Sequence, residues 1–164
     1  MGGKEWATVG TRFFGQFLQR LDAKHRVVVP RRVREAIGEE ELRGGLFLTR
    51  GLDKCAFLFP TSQWESVADD IAAVDFRGFN ARMLQRLFFS EAVQADPDKL
   101  GRILLPDRLR ELAGIEDEVL FIGASNRFEL WHPARWAALR DAHEAQFEEL
   151  AESLYQLKPG GGTQ

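Results

Sequence analysis

The sequence predicts a mixed α/β fold with a β-barrel-like centre, built from two copies of one small unit related by a pseudo-twofold axis. Three observations carry that reading: the chain repeats itself, each copy alternates short apolar strands with proline and glycine punctuation, and apolar residues at helical spacing follow each copy. Residues 22–38 read DAKHRVVVPRRVREAIG and residues 98–114 read DKLGRILLPDRLRELAG. The shared positions are Asp22/Asp98, Arg26/Arg102, Pro30/Pro106, Arg32/Arg108, Arg34/Arg110, Glu35/Glu111 and Gly38/Gly114. Between the shared Arg and the shared Pro every position is apolar in both copies. Further on, Gly51, Leu58 and Trp64 match Gly123, Leu130 and Trp136, and the four residues missing from copy two are assigned to the loop containing Glu39 to Gly45. A repeat of this length marks a duplicated structural unit. Each unit is too small to bury much surface alone, so the two are expected to share one core.

The elements follow in order. Residues 1–11 read as a disordered N-terminal extension. The first repeat spans 12–76. In it a strand over Gln16–Leu21 enters the turn Asp-x-x-x-Arg, and a second strand, Arg26–Val29, is rich in residues that suit a pleated surface. Pro30 opens a short helix, where its missing N–H does no harm, and Gly38 closes it with a left-handed residue. A hairpin over Leu46–Thr49 and Ala56–Phe59 follows. Then comes a helix begun by the capping-box spacing Ser62-Gln-Trp-Glu65, with Trp64, Val67 and Ile71 as its apolar stripe. Phe79, Met83 and Leu87, flanked by Arg82 and Arg86, predict an amphipathic connector helix over 77–89. The second repeat, 90–136, repeats the plan with strands at Glu91–Ala95, Arg102–Leu105, Glu118–Ile122 and Phe128–Trp131. Trp136, Leu139, His143, Phe147, Leu150 and Leu154 then predict one C-terminal helix over 137–158, about twenty residues long, packed on its own domain or used as a protein–protein seam. Residues 159–164 read as a disordered tail.

Composition narrows the class of function. No apolar run reaches the roughly 18–20 residues of a membrane span, and the first ten residues lack a signal-peptide core. A single cysteine, Cys55, cannot form an internal disulfide, so the chain reads as cytoplasmic. Net charge is −3, but its distribution is uneven. Residues 1–38 carry eight basic and three acidic side chains, a net +5 that leaves −8 for the remainder. The acid gathers in stretches such as Asp141, Glu144, Glu148, Glu149 and Glu152.

The run Asp-x-x-Gly-Arg-apolar-apolar-apolar-Pro-x-x-hydrophobic-Arg, present in copy two as DKLGRILLPDRLR, resembles the swapped-hairpin DNA-binding fold of the AbrB, MazE and SpoVT proteins. Two tandem copies of it, with FFG near the start, GLDKCAFLFP and NRFELW, resemble the MraZ family over roughly residues 12–150. That resemblance implies two AbrB-like units and a transcriptional regulator of the bacterial division and cell-wall gene cluster. It also implies binding to direct repeats in the promoter upstream of the protein's own gene, a nucleoid-associated location, and a ring-like homo-oligomer. Copy one departs from the pattern in having His25 where the family usually has glycine. The stretch before Thr11 is also longer than usual.

The residues point to double-stranded DNA on their own terms. DNA binding needs cations gathered on one face to displace condensed counterions. Residues 20–34 hold Arg20, Lys24, Arg26, Arg31, Arg32 and Arg34 against Asp22, a net +5. Residues 96–110 hold Lys99, Arg102, Arg108 and Arg110 against three aspartates, a net +1. Copy one is therefore expected to be the main DNA face, and Arg26 to matter more than Arg102. The predicted DNA-binding set is Arg20, Lys24, Arg26, Arg31, Arg32, Arg34, Lys99 and Arg102. Arginine suits bidentate contact with guanine or phosphate, and Arg31 and Arg32 open a helix whose N–H groups also face outward. Asp22 and Asp98, which phosphate would repel, are expected to hold the arginine or the turn. The plainer reading makes Asp22–Arg26 and Asp98–Arg102 ion pairs that only maintain the fold.

Nothing points to an enzyme, a metal or a cofactor. His25, His132 and His143 show no ligand spacing with Cys55, no phosphate loop follows a strand, and no nucleophile elbow is present. Two rivals to the regulator stand: an antitoxin-like protein with DNA secondary, and a structural assembly module. A basic first repeat and a chain that ends in a helix rather than a long inhibitor segment favour the regulator.

Overall fold

The fold described here comes from a computed structural model and covers residues 12–156. The predicted disordered segments 1–11 and 159–164 lie outside those residues. Two compact units divide the chain, one ending at His132 and one beginning at Pro133.

In the first unit the elements run β1 (Gln16–Arg20), β2 (Arg26–Val28), α1 (Arg31–Ile37), α2 (Glu39–Gly44), β3 (Leu46–Arg50), β4 (Ala56–Pro60), α3 (Thr61–Ala72) and α4 (Phe79–Ser90). Then come β5 (Val93–Ala95), β6 (Arg102–Leu104), α5 (Asp107–Ala113), β7 (Glu118–Gly123) and β8 (Phe128–Trp131). The mixed α/β class holds. Six strands form one antiparallel sheet in the order β1-β7-β8-β4-β3-β5, and β2 pairs with β6 in a separate ribbon. Exchanging the repeats turns that order into itself read backwards, which is the pseudo-twofold. Its axis passes between Phe57 and Glu129, paired at the centre of β4–β8, and between Val27 and Ile103 in the ribbon. The sheet stays open, with β1 and β5 as its edges, so the centre is an interleaved sheet rather than a closed barrel.

One core serves both copies. Val27, Val29, Val33, Leu46, Leu48 and Leu58 from the first pack with Ile103, Leu105, Leu109, Val119, Phe121 and Leu130 from the second. Phe13 of the FFG stretch joins it, stacking on Phe128 with centroids 4.8 Å apart. Its neighbour Phe14 runs so close to Gly123 that a side chain there would collide with the backbone.

The register relocates the missing residues. Leu46 pairs with Ala95 as Val119 pairs with Gln19, and the burial sequence of Leu46–Arg50 recurs from Val119 to Gly123. The β3–β4 turn spans 51–55, whereas the β7–β8 turn spans only 124–127. Three residues are therefore absent before the strand and one in the turn, not four from a single loop. The segment expected as that loop is itself helical, as α2, with Glu39, Glu40 and Glu41 in its first turn, where acidic side chains favour the helix dipole.

Several local expectations need correcting. Pro30 and Pro106 sit at the cap rather than in the first turn of α1 and α5. Gly114 is left-handed at φ 65°, ψ 23°, but Gly38, at φ 87°, ψ 153°, keeps a positive φ outside the left-handed helical region and passes the chain directly into α2. The capping box is not used: α3 starts at Thr61 without a side-chain cap, the Thr61 hydroxyl donates to Gly45 O, and Ser62 N–H donates to Glu41. Trp64 instead works as an aromatic hub, stacked on Phe47 at 4.9 Å and Phe88 at 5.4 Å. In the second unit the expected single helix is broken. α6 (Pro133–His143) passes through a 3-10 turn at Glu144–Gln146 into α7 (Phe147–Gln156). His143 leaves helical backbone at φ −124°, with its ring Nδ1 2.9 Å from Leu139 O. Among the described residues no helix is long and apolar enough to cross a membrane.

Thr49 is the one polar side chain fully buried among the described residues, and its hydroxyl donates to Phe88 O at 2.7 Å. That carbonyl lies in the last turn of α4, where helix carbonyls lack intrahelical donors. Thr49→Val, which keeps the shape and removes the donor, is expected to cost about 1–3 kcal/mol. Thr49→Ser should cost less. Urea unfolding of the three proteins measures the difference.

Candidate nucleic-acid interface

The two Asp-x-x-x-Arg turns close by the same bonds. In copy one, Asp22 N–H donates to Arg26 O at 2.8 Å and His25 N–H to Asp22 O at 3.0 Å. The Asp22 carboxylate accepts Lys24 N–H and Arg26 N–H on Oδ1 and the Arg26 Nε–H on Oδ2, all at 2.9 Å. In copy two, Asp98 accepts Leu100 N–H and Arg102 N–H at 2.9 Å and Arg102 Nε–H at 2.8 Å. His25 takes φ 61° where Gly101 takes φ 76°. The departure at position 25 therefore leaves the turn unchanged, because histidine is placed in the left-handed region it enters more readily than most residues. Both carboxyls lie below the usual 3.8, chiefly through the bond from the arginine's own backbone N–H, partly offset by desolvation.

β2 and β6 run antiparallel, with Arg26 opposite Leu104, Val27 opposite Ile103 and Val28 opposite Arg102. Strand alternation sends Val27 and Ile103 inward, where both are 1% exposed. Arg26, Val28, Arg102 and Leu104 then share the outer face. The Arg102 Nη1 also comes within 3.8 Å of the Asp22 carboxylate. One arginine from each repeat thus meets on a single ribbon, with exposed Val28 and Leu104 between them. Sequence reasoning that compared the copies as separate faces missed this, and it missed Val28 and Leu104. The period-two alternation after Arg26 and Arg102 was the available signal.

The remaining predicted residues divide into engaged and unengaged cations. Arg20 lies at the end of β1, 3.5 Å from Glu118, and Arg31 pairs with Glu35 at 2.9 Å, both pairs being solvent-exposed. Arg34 turns inward: its Nε–H donates to Val29 O at 3.1 Å, and its guanidinium stands over Gly101, where an added Cβ would lie 3.2 Å away. Its counterpart Arg110 donates to Leu105 O at 3.1 Å and pairs with Asp107. Lys24, Arg32 and Lys99 are exposed and have no carboxylate within ion-pair distance among the described residues. The arrangement is a two-stranded ribbon carrying two held arginines and flanked by free cations, which is suited to an anionic, grooved partner.

A sequence model of the family described as "MraZ protein, putative antitoxin-like" matches residues 13–87 and again 88–158. The chain is 39% identical over 145 residues to the "Transcriptional regulator MraZ" of Desulforamulus reducens, covering 88% of this chain and 99% of that protein. It is 39% identical over 142 residues to the protein of the same name from Carboxydothermus hydrogenoformans, covering 87% and 96%. The one from Pediococcus pentosaceus is 37% identical over 142 residues, again covering 87% and 96%.

Since Asp22 and Asp98 titrate below 3.8 when folded, the stability they supply is complete above that value. It is lost as pH falls through the folded pKa. The Asp22→Asn/Asp98→Asn double variant is expected to lose less stability than the parent between about pH 5 and pH 2. Thermal melts across that range measure it, and parallel curves for the two proteins would refute the role given to the carboxylates.

Proposed function

Because the chain belongs to the MraZ family, we propose that it is a DNA-binding transcriptional regulator whose β2–β6 ribbon enters the major groove. The observation that carries the reading is that Arg26 and Arg102, one from each repeat, lie diagonally on one outward ribbon face, opposite Leu104 and Val28. The major groove admits a two-stranded β-ribbon and shows a distinct donor and acceptor pattern at each base pair. The guanidinium of Arg26 is gripped through Nε, which fixes its plane and leaves the Nη edge to meet guanine O6 and N7 as a fork. Val28 and Leu104 supply apolar contact for thymine methyl groups. Lys24, Lys99, Arg32 and the exposed Arg31 and Arg20 reach phosphates, which position the ribbon without reading sequence.

The operator is a set of short direct repeats upstream of the protein's own gene, in the division and cell-wall cluster, and the protein works in the cytoplasm on the nucleoid. One ribbon offers few contacts, so affinity comes from a ring-like homo-oligomer that engages several repeats at high effective concentration. The apolar stripe Phe147, Leu150 and Leu154, exposed on α7, supports a protein–protein seam. The same stripe would serve the antitoxin-like alternative, in which another protein is the main partner.

The test is a gel-shift titration on DNA from upstream of the gene, with several repeats, one repeat or a scrambled sequence. Arg26→Ala and Arg102→Ala are each expected to weaken specific binding by about 5- to 150-fold, the range of one lost bidentate base contact. The ribbon puts the two arginines on one face, so the larger effect that charge alone assigns to Arg26 narrows. Log affinity should fall with log salt by roughly 0.9 per neutralised phosphate. Multi-repeat DNA should survive physiological salt where scrambled DNA does not. Equal affinity for one repeat and several would remove the avidity argument, and light scattering at the monomer mass of 18.6 kDa would remove the ring.

A further inference from the structure

The two ends of the ribbon share one geometry and differ in charge. Past the paired residues, Val29 N–H donates to Gly101 O at 2.8 Å and Leu105 N–H to His25 O at 3.0 Å. Each strand therefore finishes beside the other copy's turn, and the helix that follows begins there. One end collects Lys99 of copy two with Arg31 and Arg32 of copy one. The other collects Lys24 of copy one with Asp107 and Arg108 of copy two. The swap thus redistributes the charge that the sequence divides by repeat.

At the first end Lys99 and Arg32 are without a carboxylate partner among the described residues, and Arg31 has only the solvent-exposed Glu35. At the second end Arg108 is held at 3.2 Å by Glu91, whose side chain is 11% exposed. Asp107, 85% exposed and paired with the more buried Arg110, stands where the first end has Arg31. A phosphate at the first end meets free cations, and at the second it meets one free lysine and an aspartate that repels it.

We infer that the ribbon seats on duplex DNA in one polarity, anchored by Lys99, Arg31 and Arg32 at the Gly101 end, with Asp107 disfavouring the reversed orientation. The inference rests on the DNA-binding reading above and adds a direction to it. The pseudo-twofold permits two seatings that differ by a half-turn, and the strands' backbone geometry does not choose between them. The charges at the ends do. A protein that reads along DNA in one direction is matched to repeats arranged head to tail rather than to inverted ones.

The experiment uses the full chain and a duplex holding a single site, enriched by the protein from a random pool. Ala23→Cys and Leu100→Cys, one at each exposed turn, are labelled with an iron–EDTA cleaving group, while native Cys55 is buried. Each labelled protein is expected to cut one flank of the site, and the two should cut opposite flanks. Asp107→Arg recreates at the second end the Arg31–Glu35 arrangement, with Glu111 in the place of Glu35. In that background both labels should cut both flanks. Arg32→Ala/Lys99→Ala should weaken binding by on the order of fivefold per lost phosphate contact at physiological salt. Lys24→Ala/Arg108→Ala should weaken it by less. Equal cutting of both flanks by the parent chain, or equal losses from the two double variants, overturns the polarity and leaves DNA binding standing. A pool from which the protein enriches no duplex overturns the DNA-binding reading, and the polarity with it.

Discussion

The antiparallel pairing of β2 with β6 is the constraint on which the rest of the molecule depends. Three residues from each repeat meet across the pseudo-twofold, with Val27 facing Ile103 at its centre. That contact buries the inner face of both strands and leaves Val28 and Leu104 exposed on the outer face. The turns feeding the ribbon are held by one carboxylate each, which accepts two backbone N–H groups and its arginine's Nε–H. Asp22 and Asp98 thus act twice: they satisfy donors that a tight turn would leave open, and they set the plane of the side chain that faces outward. The fold and the proposed DNA contact are joined at the same four residues, so on that reading a change at either aspartate acts on both.

Around the ribbon, the six-stranded sheet interleaves the copies rather than stacking them. β1 pairs with β7 and β5 with β3, each edge strand lying on the hairpin of the opposite repeat. Where the chemistry of the copies has diverged, the geometry has been kept by paired changes. Gly101 leaves room for the Arg34 guanidinium above it. At the related position His25 carries a side chain, and Arg110 is drawn to Asp107 instead. Residue 107 is an arginine in the first copy's place, so Arg34 has no such partner in its own helix.

Much of this was legible from residues alone. The duplication, the eight strands to within a residue or two, the aspartate's role and the connector helix all follow from identities and spacing, because those are local properties. What was not legible depends on contacts between the copies. No local signal says that β1 seeks β7, that Val29 meets Gly101, or that Arg34 rests on Gly101, since each pairing joins residues far apart in the chain. The helix α2 was hidden by its glycines, which read as loop. The break after His143 was hidden by an apolar stripe that keeps its spacing straight through it. The capping box at Ser62 failed because Thr61 found Gly45 and Ser62 found Glu41, partners that only the folded chain supplies.

The interleaved sheet also governs when the protein can come into being. Gln16 must find Ile122, and Val27 must find Ile103, so the first repeat has no partner for its edges until the second has been made. Contacts of such separation carry a large loop-closure cost and slow the search for the native state. During synthesis the emerging first half can close its β3–β4 hairpin but holds β1, β2 and both edges of that hairpin unpaired until the second repeat clears the ribosome, and in that interval it is exposed to wrong partners, including the same segment of a neighbouring nascent chain. A lone copy of the repeat can complete the same sheet only by meeting a second chain. Joining two copies in one polypeptide replaces that encounter, which depends on concentration, with one that does not.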